Sequence, residues 1–422
     1  MTCSKTRDRL LRPAILRGKI APLLAVTIFA ACAAGAAPLP APSHTVIVVL
    51  ENRSAAQVYD NPDMPFFNAL ARQGALMSNA GFAQTPYGRI PRGYSEPLPA
   101  RPSQPNYLYL ISASNQGVVP EYFAVPTSDP AYPYRGAATN DTNGDLLPAP
   151  RADVPTGIAN RLVPPSIRPF TTPNLGAAVI AHGGSFACFS ESLPYPRYDE
   201  ETFRANDGLY KRKHNPVINW INLPRRSLSP EQIQFTLPET ANLGFDRTRD
   251  PNSRRTFRGF AVDEAGKPIA FDNLPTVAFV VPNQNHDAHD ASLRDADRWL
   301  QENIGPYAAW AMKNNALLVL TFDEDGATKK TGGNPYQTGA DKIATVFYGP
   351  MVKPGRYDEP VDHLNVLSTL LALHADLATF RKDFARAHPD AEGEREGANL
   401  RPILDIFDAG PPLAPLPRAA RD

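Results

Sequence analysis

The stretch Ala316–Gly326, ALLVLTFDEDG, runs from apolar and β-branched residues straight into two carboxylates, Asp323 and Glu324, with Asp325 and Gly326 behind them. An unbroken apolar run of this length predicts a strand buried on both faces, as in a parallel sheet. Open α/β sheets place their ligand sites at the carboxyl ends of such strands. Taken alone, a solvated acidic turn after an ordinary strand is the commoner meaning. A second stretch has the same form, however: His44–Ser54, HTVIVVLENRS, another apolar strand ending in Glu51 and Asn52. Burying unpaired carboxylates is costly, and a cation offsets that cost. Two strand ends that offer only oxygen ligands therefore point to one hard divalent cation between them.

The rest of the composition bounds the answer. The chain has 422 residues and is 42% hydrophobic, enough for a sizeable core in one large or two ordinary domains. Its 45 prolines predict long, loop-rich connections. Formal charge is zero overall, but residues 1–37 hold six Lys/Arg against the single acid Asp8, leaving the remainder with 37 positive and 42 negative side chains. That balance is unlike a basic nucleic-acid footprint, so no nucleic-acid partner is expected. The N-terminus has the pattern of an export signal: a basic region, the short apolar run Ile20–Ala31, then AACAAGAA and a Pro-rich spacer. Cleavage near Ala36 or Ala37 fits the small-residue rule and gives a periplasmic or secreted protein. Cys32 loosely resembles a lipoprotein site, and membrane contact is expected only if it is lipidated. The mature chain would keep only Cys188, so no intrachain disulfide is expected.

Several further segments bear on chemistry. Met64–Gly74 predicts a helix stopped by glycine. In Pro102–Gly117, PSQPNYLYLISASNQG, Pro105 suits a first helical turn. Ser103 then sits just outside a helix N-terminus, where free N–H groups and the helix dipole favour an anion. A helix-capping serine is the common alternative. Ser112 and Ser114 are rivals, at the end where the dipole has the wrong sign. Tyr210–Trp220 carries His214. Residues 225–272, with the run DRTRDPNSRR, suggest a charged surface insertion. Leu274–Pro282 predicts another buried strand, ending in NQNHDAHD with His286, Asp287, His289 and Asp290 together. Ala291–Asn303 predicts an amphipathic helix, Val361–Leu377 a helix bearing His363, and 385–422 a charged, Pro-rich tail.

The ordered set ENRS, PSQPNY, KHNP, PNQNHDAHD, FDEDG, FYGPMVKPG and DHLNVLSTL resembles the phosphoesterase family of the alkaline-phosphatase superfamily. That family includes bacterial and fungal acid phosphatases, phosphoinositide phosphatases and non-haemolytic phospholipases C. The resemblance implies an α/β fold, a mostly parallel sheet with helices on both faces, over a catalytic domain at 44–384. It implies Glu51, Asn52, Asp323 and Glu324 as ligands of one divalent metal, and Ser103 as nucleophile. Asn52, His214 and His289 would bind the phosphate, the histidines also assisting the leaving group, with Asp287 and His363 as less defined motif positions. A cation lowers the pKa of a hydroxyl and polarises a phosphoryl oxygen, and a histidine can protonate the leaving alcohol. The expected activity is hydrolysis of a phosphomonoester, a small molecule or a phospholipid head group, through phosphoserine. A phospholipase C or other phosphodiesterase is the alternative, and an exported non-catalytic metal or phosphate binder the third reading. Arg101 stands where the family phosphatases often have histidine.

Overall fold

Thr45–Leu50 (β1) and Leu317–Phe322 (β8) are buried at every residue. They pair in parallel from Thr45↔Leu317 to Leu50↔Phe322, so their carboxylate-bearing ends finish side by side. Runs of Val, Ile and Leu suit strands covered on both faces, because β-branched side chains pack well on a pleated surface. The computed structural model describes residues 39–82, 103–114, 116, 169–198, 208–222, 227–325, 342–387 and 400–408. The expected signal at 1–37, Cys32, Arg101 and Gly326 lie outside them.

Around these two strands stands an eight-stranded sheet ordered β10-β2-β9-β8-β1-β7-β3-β4. The other members are Ala75–Met77 (β2), Phe186–Ser190 (β3), Asn242–Gly244 (β4), Val277–Val281 (β7), Thr345–Tyr348 (β9) and Gly355–Tyr357 (β10). Thr248–Arg249 (β5) and Thr256–Phe257 (β6) form a separate hairpin. From β8 through β1, β7 and β3 to β4 every pairing is parallel. Strand β9 is antiparallel to both its neighbours, β8 and β2. The expected α/β architecture with a mostly parallel sheet is what the chain adopts.

Helices are numbered in chain order: Ala55–Val58 (α1), Pro65–Gln73 (α2), Ser103–Ser112 (α3), Leu175–Ala181 (α4), Pro230–Ile233 (α5), Leu293–Trp299 (α6), Gly305–Ala311 (α7), His363–His374 (α8) and Leu377–Ala387 (α9). Helices α3, α4 and α9 gather on α8, while α2 packs on α6 and β9, and α7 on β8. Asp362 caps α8, its carboxylate accepting from the Leu364 and Asn365 N–H groups, and so sets His363 as the first helical residue. The helix expected over 291–303 starts at Leu293, then widens into a π turn at Leu300–Ile304 before α7. Pro306 lacks the N–H that would continue the α-helical ladder there.

Two expectations need correction. Residues 225–272 are more than a surface insertion, because they supply the edge strand β4 and bury Leu237, Leu243, Phe245, Phe257 and Phe260. The charged run 246–255 covers β5 and the turn leading to β6, while Phe245 and Phe257 on either side of it are buried. Likewise 385–422 is not simply a tail. Helix α9 continues to Ala387, and Leu400, Ile403, Ile406 and Phe407 are buried. Hydrogen bonds Lys353 N–H to Ile406 O (2.8 Å) and Asp408 N–H to Met351 O (2.9 Å) pin that segment to the body.

Candidate active site

Strand β1 lies between β7 and β8, so Glu51, Asp323 and the 283–290 loop emerge together at one edge of the sheet. The backbone ties these ends to one another. Asp323 N–H donates to Leu50 O at 2.9 Å, and Glu51 N–H donates to Asp287 O at 2.7 Å. Asp323 Oδ1 accepts from the N–H groups of Asn52 (3.0 Å) and Glu324 (2.7 Å). Asn52 has a left-handed backbone, φ 46°, a conformation asparagine tolerates better than most residues. Asp287 organises its own loop, accepting from His289 N–H at 2.8 Å and from Gln284 Nε2 at 2.5 Å.

Helix α3 delivers the serine. Ser103 is its first helical residue, so its own N–H belongs to the free groups of the first turn. Ser103 Oγ donates to Glu51 Oε2 at 3.2 Å. One turn on, Tyr107 donates to Glu51 Oε1 at 2.5 Å. Between them Asn106 Nδ2 donates to Glu324 Oε2 at 3.1 Å. His214, in the 3-10 turn Arg212–His214, lies with Nδ1 3.3 Å from Glu51 Oε1. Its ring stacks on Tyr107, centroids 5.4 Å apart and planes 14° apart. His289 is the accessible histidine, its side chain 40% exposed and Nδ1 2.6 Å from Asp290 Oδ1. The rival serines are used otherwise: Ser112 Oγ donates to Leu108 O at 2.7 Å, and Ser114 Oγ accepts from Gln116 N–H at 3.1 Å.

Burial dominates the electrostatics. It lifts the Glu51 carboxyl well above its ordinary value, with the charges of Asp323 and Asp287 pushing the same way. Burial likewise raises Asp323 and Asp287. It drives His214 well below the usual histidine range, helped by Lys213, His289 and Lys211. Such a set of crowded buried acids calls for positive charge. Asp323 Oδ2 and Asn52 Oδ1 are both buried without a hydrogen-bond partner among the described residues. These orphan oxygens fit a hard cation. Among the described residues no three His, Cys, Asp or Glu side chains are arranged to hold a metal. Glu51 and Asp323 would therefore need the Asn52 amide and the Ser103 hydroxyl to complete an oxygen donor set. Glu324 is turned to Asn106, and His363 is buried with Nε2 2.9 Å from Phe322 O, against the end of β8.

The structure thus brings Glu51, Asn52, Asp323, Ser103, His214 and Asp287 to one place, with His289 close enough to influence both His214 and Asp323 electrostatically. Reading the sequence passed over three participants. Asn106 and Tyr107 sit in a motif quoted for Ser103, and the i, i+4 spacing of Ser103 and Tyr107 was the available signal. Arg53 donates to the carbonyls of Asn52 (3.3 Å) and His289 (3.3 Å), tying the end of β1 to the 283–290 loop.

Strand-end carboxylates beneath a serine at a helix N-terminus make up a site of the kind α/β enzymes carry at the carboxyl ends of their strands. The comparisons agree: residues 48–375 match the model of the phosphoesterase family, and the chain belongs to that family. It is 32% identical over 335 residues to a phosphatidylinositol-3-phosphatase of Mycobacterium tuberculosis, covering 79% of this chain and 78% of that one. It is 31% identical over 195 residues to an acid phosphatase of Aspergillus fumigatus, covering 44% of this chain and 35% of that one. A solved alkaline-phosphatase-superfamily protein from Vibrio parahaemolyticus aligns at 11% identity over 80% of this chain and 68% of that chain, TM-score 0.37. The protein is a phosphoric ester hydrolase.

Proposed function

We propose that this hydrolase is an exported, metal-dependent phosphomonoesterase that works through a phosphoserine on Ser103. The observation that carries the reading is Ser103 Oγ, buried at the start of α3 and bonded to Glu51 Oε2 at 3.2 Å. A divalent cation held by Glu51, Asn52 and Asp323 would lower the hydroxyl pKa and polarise the phosphoryl group. Ser103 Oγ attacks phosphorus in line as the bond to the leaving oxygen breaks, and the proton of the acidified hydroxyl passes to solvent water. The free N–H groups of the first turn of α3 face the charge that builds on the equatorial oxygens. His214 Nε2, buried and without a hydrogen-bond partner among the described residues, can donate to a phosphoryl oxygen in the tautomer that carries its proton on that nitrogen. His289 protonates the departing alkoxide, its ring steadied through Nδ1 by Asp290. Water then attacks the phosphoserine, releasing phosphate and restoring Ser103.

The relatives named as phosphatases support the monoester over the diester. The phosphatidylinositol-3-phosphatase among them makes a phosphorylated lipid head group a substrate class to try beside small esters. The basic, apolar, small-residue pattern of 1–37 supports export. Acid-quench mass spectrometry during turnover of an aryl phosphate tests the mechanism: a phosphorylated peptide spanning Arg101–Tyr107 is expected. Phosphate trapped on the Ser112–Ser114 segment or on a histidine overturns it. A phosphocholine diester, assayed in parallel, is expected to turn over far more slowly.

A further inference from the structure

The Glu51 carboxylate is shared three ways, and one partner has no place in the reaction just described. Tyr107 is fully buried, its hydroxyl 2.5 Å from Glu51 Oε1. It sits one helical turn after Ser103, which bonds the other oxygen, Oε2. Residues i and i+4 share a helix face, so α3 grips the two oxygens of one carboxylate with two hydroxyls. The Tyr107 ring also lies flat against His214, centroids 5.4 Å apart and planes 14° apart, while His214 Nδ1 stands 3.3 Å from the same Oε1. A carboxylate with both oxygens held has no free rotation about its last bond.

We propose that Tyr107 is a positioning residue: its hydroxyl fixes the Glu51 carboxylate so that Oε2 faces Ser103 and the cation, and its ring fixes the plane of His214. The inference rests on the metal-dependent reading of the site. Outer partners of ligating carboxylates orient their donors, and losing one typically weakens metal binding by about 10- to 100-fold.

Two variants separate the two jobs. Tyr107→Phe keeps the ring against His214 and removes only the hydroxyl. Tyr107→Leu removes both. Titration calorimetry with Mn²⁺, Mg²⁺ or Zn²⁺ alone reads the first job without any substrate. Tyr107→Phe is expected to weaken metal binding about 10-fold or more, with kcat recovering at saturating metal and KM for an aryl phosphate near wild type. Tyr107→Leu is expected to show the same metal defect plus a raised KM that excess metal does not restore. A thermal melt of each apo variant controls for folding, since a purely structural role would lower Tm without being rescued by metal. Wild-type metal affinity in a folded Tyr107→Phe overturns the positioning role. A wild-type chain that binds none of the three ions overturns the metal reading itself. A wild-type chain that binds metal but hydrolyses no phosphate ester overturns only the reaction, and the calorimetry still decides Tyr107.

Discussion

Asp323 divides its work between two oxygens, and a single isosteric change separates them. Oδ1 accepts two backbone N–H groups, whereas Oδ2 is buried with no hydrogen-bond partner among the described residues. Asp323→Asn can keep its amide oxygen on those N–H groups while losing the negative charge. The variant is expected to fold, yet to lose about 100-fold or more in metal affinity and turnover. Near-wild-type calorimetry and turnover would remove Asp323 from the metal site. His289 gives a second test at this scale. If it is the general acid, His289→Ala should cost about 100-fold or more on alkyl phosphates and little on activated aryl phosphates, whose leaving groups need no proton. Equal losses across a leaving-group series would leave it a binding role alone. That Glu51, Asp323 and Ser103 come together was legible in the sequence, because each lies at a strand or helix end that the fold brings to one edge of the sheet. Tyr107 was legible only in part: its i, i+4 spacing put it on the Ser103 face, but its partner depends on which strand end α3 crosses. Sequence shows an apolar run in PNYLYLI and no sign that one hydroxyl in it is bonded to Glu51.

Elements were legible wherever burial is two-sided. The runs of β1, β7 and β8 are apolar but for the β-branched Thr45 and Thr321, so periodicity left little choice. Legibility failed at β4 and at 400–408. Both are short and lie beside charged or Pro-rich sequence, and their apolar residues become core only once β3 or α8 is there to receive them. Element junctions also carry a constraint that composition hides. Gly74 ends α2 with an ordinary negative φ, so its conformation needs no glycine. Space does: a Cβ there would stand 2.2 Å from the Phe347 carbonyl oxygen of β9. Gly183 is the reverse case, at φ +89° with nothing within 4 Å of a built Cβ. Gly74→Ala must push two backbones apart and is expected to cost about 2 kcal/mol or more, at the upper end of overpacking effects. Gly183→Ala, paying only for a left-handed backbone, should cost about 1 kcal/mol. Urea unfolding of the pair checks the ranking, and an equal or reversed order would mean that the α2–β2 junction yields easily.

At the scale of the whole molecule the buried histidines set how folding responds to acid. His374 ends α8 beneath the sheet, its Nε2 2.6 Å from Thr45 Oγ1 at the start of β1, so one side chain ties the helix layer to the central strand. Burial, helped by His44, pushes its pKa down to about 4. Burial lowers His363 and His214 as well. The sign follows from proton counts. Between the ordinary histidine value of about 6.5 and the folded value, the unfolded chain binds a proton that the native state refuses. Stability from His374 is therefore complete above about pH 6.5 and is lost as pH falls toward 4, a change of about 3 kcal/mol over that window. His374→Gln offers the same bond to Thr45 without a titrating group. Its absolute stability at neutral pH is expected to fall by about 1 kcal/mol for imperfect replacement of the ring. Its stability should then decline less steeply than wild type between about pH 6.5 and about pH 4. Because Glu51, Asp287, Asp323 and any bound cation are common to both proteins, their own pH dependence cancels in the difference. Urea melts at stepped pH read that difference directly, and parallel stability curves for the two proteins would show that His374 is already neutral-indifferent and that the acid limb arises elsewhere.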